Sequence, residues 1–122
     1  MKKILFIEDE SALQKSLGDM LKKQGYKVES ALDGEIGLRL AQTTKPDIIL
    51  LDLILPKKSG FEVFEELKQS KETVNIPVVV LTNLEKMEDV EKALELGAKT
   101  YLVKANYNLE EVVSKIKQVL EE

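Results

Sequence analysis

The chain has no cysteine and no histidine. The first absence removes disulfides, thiolate metal sites and thiol nucleophiles. The second removes a Ser-His-Asp triad, an imidazole-ligated metal and a phosphohistidine carried by the chain itself. No apolar run approaches the ~18 residues that a membrane span requires. The basic start, Met1-Lys2-Lys3, reaches Glu8-Asp9-Glu10 too soon for a signal peptide. Basic residues are not in excess either: 18 Lys and Arg stand against 22 Asp and Glu, which argues against an extended nucleic-acid-binding surface. These absences lead us to expect a cytoplasmic protein that contacts neither membrane nor nucleic acid directly. The 122 residues present suffice for one domain, spanning 1–122, that folds without a metal or disulfide staple.

Short apolar runs alternate with amphipathic windows. Ile4–Ile7, Ile48–Leu51 and Val78–Leu81 are continuous, as in parallel strands covered on both faces. Tyr101–Val103 is shorter, and Lys27–Ala31 alternates, as an edge strand does. Five helical windows lie between and after them. Leu13, Leu17, Met20 and Leu21 form the first apolar stripe, closed by Gly25. Ile36, Leu40 and Ala41 form the second, after Asp33. Ser59 and Glu62 make a capping box for the third, with Phe61, Phe64 and Leu67 on one face. Met87, Val90, Ala93 and Leu94 are expected to form the apolar stripe of the fourth, which ends at Gly97. Asn108 and Glu111 open the fifth, with Leu109, Val112, Val113, Ile116, Val119 and Leu120 inward. The order βαβαβαβαβα predicts an α/β fold, a parallel sheet with helices on both faces. Ligands of such sheets bind beyond the carboxyl ends of the strands.

Those ends carry Glu8-Asp9, Asp52, Thr82 and Lys104. Taken singly, Glu8, Asp9, Thr82 and Lys104 read as ordinary solvated positions. Asp52 does not, because it interrupts the apolar stretch Ile48–Leu55, where a carboxylate is costly unless paired or functional. Together they bring three carboxylates, a hydroxyl and an ammonium to one patch. Converging acids need a cation or shifted pKa values. A hard divalent ion such as Mg²⁺ suits one or two carboxylates, waters and a phosphate.

With these residues in place the sequence resembles the receiver domain of two-component response regulators, from Lys2 to about Leu120. The resemblance rests on Phe6-Ile7-Glu8-Asp9-Glu10, on Leu50-Leu51-Asp52-Leu53-Ile54-Leu55-Pro56 followed by Gly60, on Leu81-Thr82, and on Gly97-Ala98-Lys99-Thr100-Tyr101-Leu102-Val103-Lys104. It implies a five-stranded parallel CheY-like sheet, order 2-1-3-4-5. It implies that Asp52 accepts a phosphoryl group from the phosphohistidine of a sensor histidine kinase or phosphotransfer protein. By the same resemblance Asp9, Asp52 and the backbone carbonyl of Ile54 would hold Mg²⁺, with Glu8 acting through a water. Lys104 would pair with the acceptor and then the phosphoryl group. Thr82 and Tyr101 would shift together and reshape the face of the fourth helix, fifth strand and fifth helix, read by a downstream effector or output domain. Such a protein is an acceptor rather than an enzyme, with at most slow autodephosphorylation.

Four departures from the family pattern stand out. Glu8-Asp9 replaces the commoner Asp-Asp. Asn83 follows Thr82 where Ala or Gly is usual, and with Leu84 and Ile54 is expected to restrict water access. Ala105 follows Lys104 where Pro is usual, so the Lys104–Ala105 bond is expected to be trans, the cis form costing a non-proline residue about 2.5–4 kcal/mol. Lys99-Thr100 stands where dimerising receivers carry acids, which predicts a monomer before phosphorylation. A haloacid-dehalogenase-type phosphatase would need a second Asp at Ile54. A flavodoxin-like flavin module would need a small polar phosphate loop where Glu8-Asp9-Glu10 lies. A degenerate receiver that only binds protein is disfavoured by Asp9, Asp52, Thr82 and Lys104 all being present. The fifth helix, running to Glu122 without a linker, favours a stand-alone protein.

Overall fold

The computed structural model describes residues 1–122. Five strands, β1 (Lys3–Ile7), β2 (Lys27–Ala31), β3 (Ile48–Leu51), β4 (Val78–Thr82) and β5 (Thr100–Val103), alternate with five α-helices. The helices are α1 (Ser11–Lys23), α2 (Gly34–Thr44), α3 (Gly60–Gln69), α4 (Met87–Glu95) and α5 (Leu109–Glu121). The strands are all parallel, in the order β2-β1-β3-β4-β5. The expected topology is thus present, with the alternating run Lys27–Ala31 at one edge.

Strand side chains divide the core between the two sheet faces. Leu5, Ile7, Ile49, Leu51, Val78 and Val80 pack with Val63, Phe64 and Leu67 of α3 and with residues of α2. Ile4, Phe6, Ile48, Leu50, Val79 and Leu81 pack with Leu17 and Leu21 of α1 and with Val112, Val113, Ile116 and Val119 of α5. Within Ile4–Ile7, Ile48–Leu51 and Val78–Leu81 every position is apolar because each faces one of these two cores.

Local signals fix several helix ends. Asp33 Oδ1 accepts the Ile36 N–H at 2.9 Å and caps α2. Both capping boxes form: Ser59 Oγ accepts from Glu62 N at 3.2 Å and Asn108 Oδ1 from Glu111 N at 2.8 Å, each glutamate returning the bond. Gly25 and Gly97 follow α1 and α4 with φ of 94° and 101°, the left-handed geometry that a terminal glycine supplies without a Cβ penalty.

Helical faces differ from expectation at several positions. In α2 Leu38 is buried with Ala41, while Ile36 and Leu40 are half-buried. In α3 the buried set is Gly60, Val63, Phe64 and Leu67, with Phe61 half-buried at the margin under Lys92, whose Nζ lies 4.4 Å from the ring centroid. In α4 only Ala93 is buried, while Met87 is 67% and Leu94 51% exposed. An apolar stripe needs a facing surface, and this helix meets the rest of the chain mainly through its smallest apolar residue.

Parallel pairing delivers the strand ends to one side. Ile7 lies beside Leu51, Leu51 beside Val80 and Thr82 beside Val103. The ladder extends one bond further, Asp52 N donating to Ile7 O at 3.0 Å. After β5 the chain makes a 3-10 turn over Lys104–Asn106 before Asn108 caps α5. Every peptide bond is trans, that of Lys104–Ala105 included.

Candidate functional site

Asp52 leaves β3 only 4% exposed, yet both its oxygens are engaged. Oδ1 accepts from the Ile54 N–H at 3.1 Å and Oδ2 from Lys104 Nζ at 2.8 Å. Glu8, the residue after β1, is wholly buried. Its Oε2 accepts from the Glu10 N–H at 3.1 Å. Its Oε1 lies 2.7 Å from Lys104 Nζ, an ion pair by distance whose alignment is not that of a hydrogen bond. Glu10 Oε1 stands 3.8 Å from the same ammonium. Asp9 is exposed, and it, Glu8 and Asp52 each offer a carboxylate oxygen within 4.8 Å of the others.

The cluster is short of positive charge, with Glu8, Asp9, Glu10 and Asp52 around Lys104. Carboxylates ~4 Å apart repel by about 4 kcal/mol at an effective dielectric near 20. The Glu8 carboxyl responds: burial, reinforced by the charge of Asp52, pushes it up to about 7 against the pull of Lys104 and the Glu10 N–H. At Lys104, burial favours the neutral amine, but the Asp52 and Glu8 carboxylates outweigh it and raise its pKa. An all-oxygen donor set with a misaligned buried oxygen on Glu8 suits a hard divalent cation.

The site opens through a cleft of about 210 Å³ lined by Glu8, Asp9, Glu10, Asp52, Ile54, Asn83 and Lys104. The Ile54 side chain is 53% exposed at its mouth. Thr82 lies outside this lining, fully buried, its Oγ1 accepting a long 3.5 Å bond from the Leu84 N–H. Leu84 also lies outside it: half-buried, it packs on the α2–α3 side of the sheet. Of the three residues expected at the access route, Asn83 and Ile54 line the cleft and Leu84 does not. Its carbonyl accepts from the Tyr101 hydroxyl at 2.9 Å. Burial, with the charges of Asp89 and Asp52, pushes that phenol up to about 12.

Sequence reasoning missed two residues. Glu10 reads as a solvated end of an acidic triplet, although its closeness to Asp9 was a signal. Gln14 carries no signal at all; it is buried beneath the acidic pair.

The family model described as the response regulator receiver domain matches residues 4–117. The chain is 38% identical over 120 residues to the DNA-binding dual master transcriptional regulator RpaA of Synechocystis, covering 98% of this chain and 49% of that one. It is 40% identical over 119 residues to the alkaline phosphatase synthesis transcriptional regulatory protein PhoP of Bacillus subtilis, covering 98% and 48%. The chain thus spans about half the length of these relatives. Among solved structures, a CheY-like receiver domain protein from Methanospirillum hungatei superposes with a TM-score of 0.92 at 27% identity, covering 99% and 94% of the two chains. The receiver domain of a Pseudomonas aeruginosa sensor histidine kinase, solved with a magnesium ion coordinated in its active site cleft, superposes with a TM-score of 0.88 at 27% identity, covering 99% and 98%.

Proposed function

The chain belongs to the response regulator receiver domain family, and from that premise we propose that Asp52 accepts a phosphoryl group from the phosphohistidine of a sensor histidine kinase or phosphotransfer protein. The observation that carries this reading is a buried carboxylate at a strand end, held 2.8 Å from Lys104 and open to a cleft. An Asp52 oxygen attacks phosphorus, the phosphorus–nitrogen bond breaks, and the donor's imidazole leaves with the electron pair. Asp9, Asp52 and the Ile54 carbonyl would hold Mg²⁺, with Glu8 reached through a water, and the ion would supply charge neutralisation at the transferring group. Lys104 passes from the carboxylate to a phosphoryl oxygen. Thr82 gives up the long bond from Leu84 and donates its hydroxyl to another.

Tyr101 is coupled to the same loop through Leu84, so the change at Asp52 reaches the face of α4, β5 and α5. A local charge change of this kind biases a two-state element. An effector or output domain reads that face; contact with nucleic acid, where a full-length regulator makes it, falls to the output domain. The unphosphorylated chain is a monomer, since Lys99 and Thr100 offer no acids to a symmetric copy. The chain acts as an acceptor, and hydrolysis is slow because Ile54 presents no group to orient a water.

Incubation with acetyl phosphate and Mg²⁺ should add one phosphoryl group by intact mass, with slow decay once the donor is removed. Asp52→Asn should abolish the addition, and Asp9→Asn should weaken Mg²⁺ affinity about tenfold, a loss of about 1.4 kcal/mol. Undiminished labelling of Asp52→Asn would show that another residue is the acceptor. Mg²⁺ binding without any labelling would point to a phosphorylation-independent binding module.

A further inference from the structure

Gln14 lies in the first turns of α1, buried, and its amide does not serve that helix. Nε2 donates toward three carbonyls, those of Phe6 at 2.8 Å, Glu8 at 3.1 Å and Ala31 at 3.2 Å. The amide carries two hydrogens, so two of these acceptors share one. Turning the amide over would set Oε1 against three carbonyl oxygens, which fixes its orientation. Oε1 is left buried without a partner. Such an arrangement is costly unless the three carbonyls need the donor more than the oxygen needs one.

The Glu8 carbonyl has that need. Glu8 lies beyond the last β1 residue and before α1, and no backbone N–H reaches its oxygen. The Glu8 N–H is held by Ala31 O at 2.9 Å. Gln14 therefore completes the restraint on both peptide planes flanking Glu8. The second of these planes is the Glu8–Asp9 peptide, which sets the directions of both acidic side chains.

We infer that Gln14 is a positioning residue for the metal-binding carboxylates: its amide locks the Glu8–Asp9 peptide so that both acids face Asp52. This rests on the reading of Glu8, Asp9 and Asp52 as a Mg²⁺ site. Gln14→Met keeps the length and apolar volume of the side chain and removes the donor. Without the restraint the Glu8–Asp9 peptide rotates among several orientations, and the ion must select one of them.

Mg²⁺ affinity, measured by calorimetry, and the urea midpoint with and without Mg²⁺ test this together. Gln14→Met should bind Mg²⁺ at least about tenfold more weakly, the loss expected when only a tenth of molecules hold the competent geometry. The Mg²⁺-dependent rise in midpoint should shrink accordingly, whereas a purely structural role would lower both midpoints equally. A parent chain that fails to bind Mg²⁺, or binds it undiminished in Asp9→Asn, would remove the underlying site. A parent that binds normally beside a Gln14→Met variant that binds equally well would remove the inference alone. Should Gln14→Met fail to fold, the parent decides by nuclear magnetic resonance. The Gln14 side-chain amide protons should exchange slowly and shift when Mg²⁺ is added. Exchange as fast as that of exposed Gln24, or signals unmoved by Mg²⁺, would overturn the inference.

Discussion

Gly60→Ala is expected to destabilise the chain by about 3 kcal/mol, the upper end of the usual overpacking range, and to impair phosphorylation of Asp52. A Cβ at Gly60 would stand 2.2 Å from the Asp52 carbonyl oxygen and 2.4 Å from Leu53 Cα. Both are backbone atoms, so no rotamer change relieves the contact. The first turn of α3 lies directly on the acceptor's own peptide, and Gly60 N donates to Leu53 O at 3.0 Å. Making room means lifting α3, which bears Val63, Phe64 and Leu67 in the core, or displacing Asp52 from its bond to Ile7 O. The first costs stability and the second costs function, so both readouts should fall together. Urea unfolding with acetyl phosphate labelling checks this; a loss below about 1 kcal/mol, within the range of ordinary surface and helix-propensity effects, would show that the turn yields easily.

Lys104→Met should lower phosphoryl transfer to Asp52 about 10²-fold, the usual effect of removing one charge-stabilising group from a transition state. It should at the same time tighten Mg²⁺ binding. Lys104 Nζ lies 2.7 Å from Glu8, 2.8 Å from Asp52 and 3.8 Å from Glu10, so it partly neutralises the acids that would hold the ion. Methionine fills the space and leaves those acids to the metal. The opposite signs matter: a variant that had merely lost its structure would lose both properties. Single-turnover labelling at saturating Mg²⁺, beside a calorimetric titration of the metal, separates them. Weaker Mg²⁺ binding in Lys104→Met would mean that the ammonium supports the site's geometry rather than competing for its charge.

The parts of this molecule written in local sequence were readable in advance. The capping boxes at Ser59 and Asn108 depend on residues three apart, and both formed. The sheet followed from continuous apolar runs, whose two faces need no further information. Asp52 was conspicuous because a carboxylate inside Ile48–Leu55 has no bland explanation. Lys104 was not conspicuous by type; only its place after a strand marked it. What periodicity cannot supply is the neighbour across the gap. Met87, Val90 and Leu94 repeat as a buried stripe would, but the fold offers α4 little to bury them against. Val63 escaped notice because the larger Phe61 and Phe64 drew the inferred face of α3 toward themselves. Gln14 is an ordinary helical glutamine until α1 is laid across the ends of β1 and β2.

The slight burial of α4 has an energetic consequence. Local opening requires only the contacts of the segment that opens, and segments with few buried apolar groups open far below the global unfolding free energy. With Ala93 its one buried residue and no side-chain bond at its N-cap Lys86, α4 is the helix least committed to its place. Amide exchange over Met87–Glu95 should therefore be much faster than over α1 or α5, and equal protection would contradict this. A segment so lightly held can be moved by a modest stimulus, because a ligand shifts an equilibrium only by its differential affinity for the two states. One phosphoryl group, worth a few charge-assisted hydrogen bonds, is a stimulus of that size. The same lightness leaves α4 free to take its final position from whatever it meets.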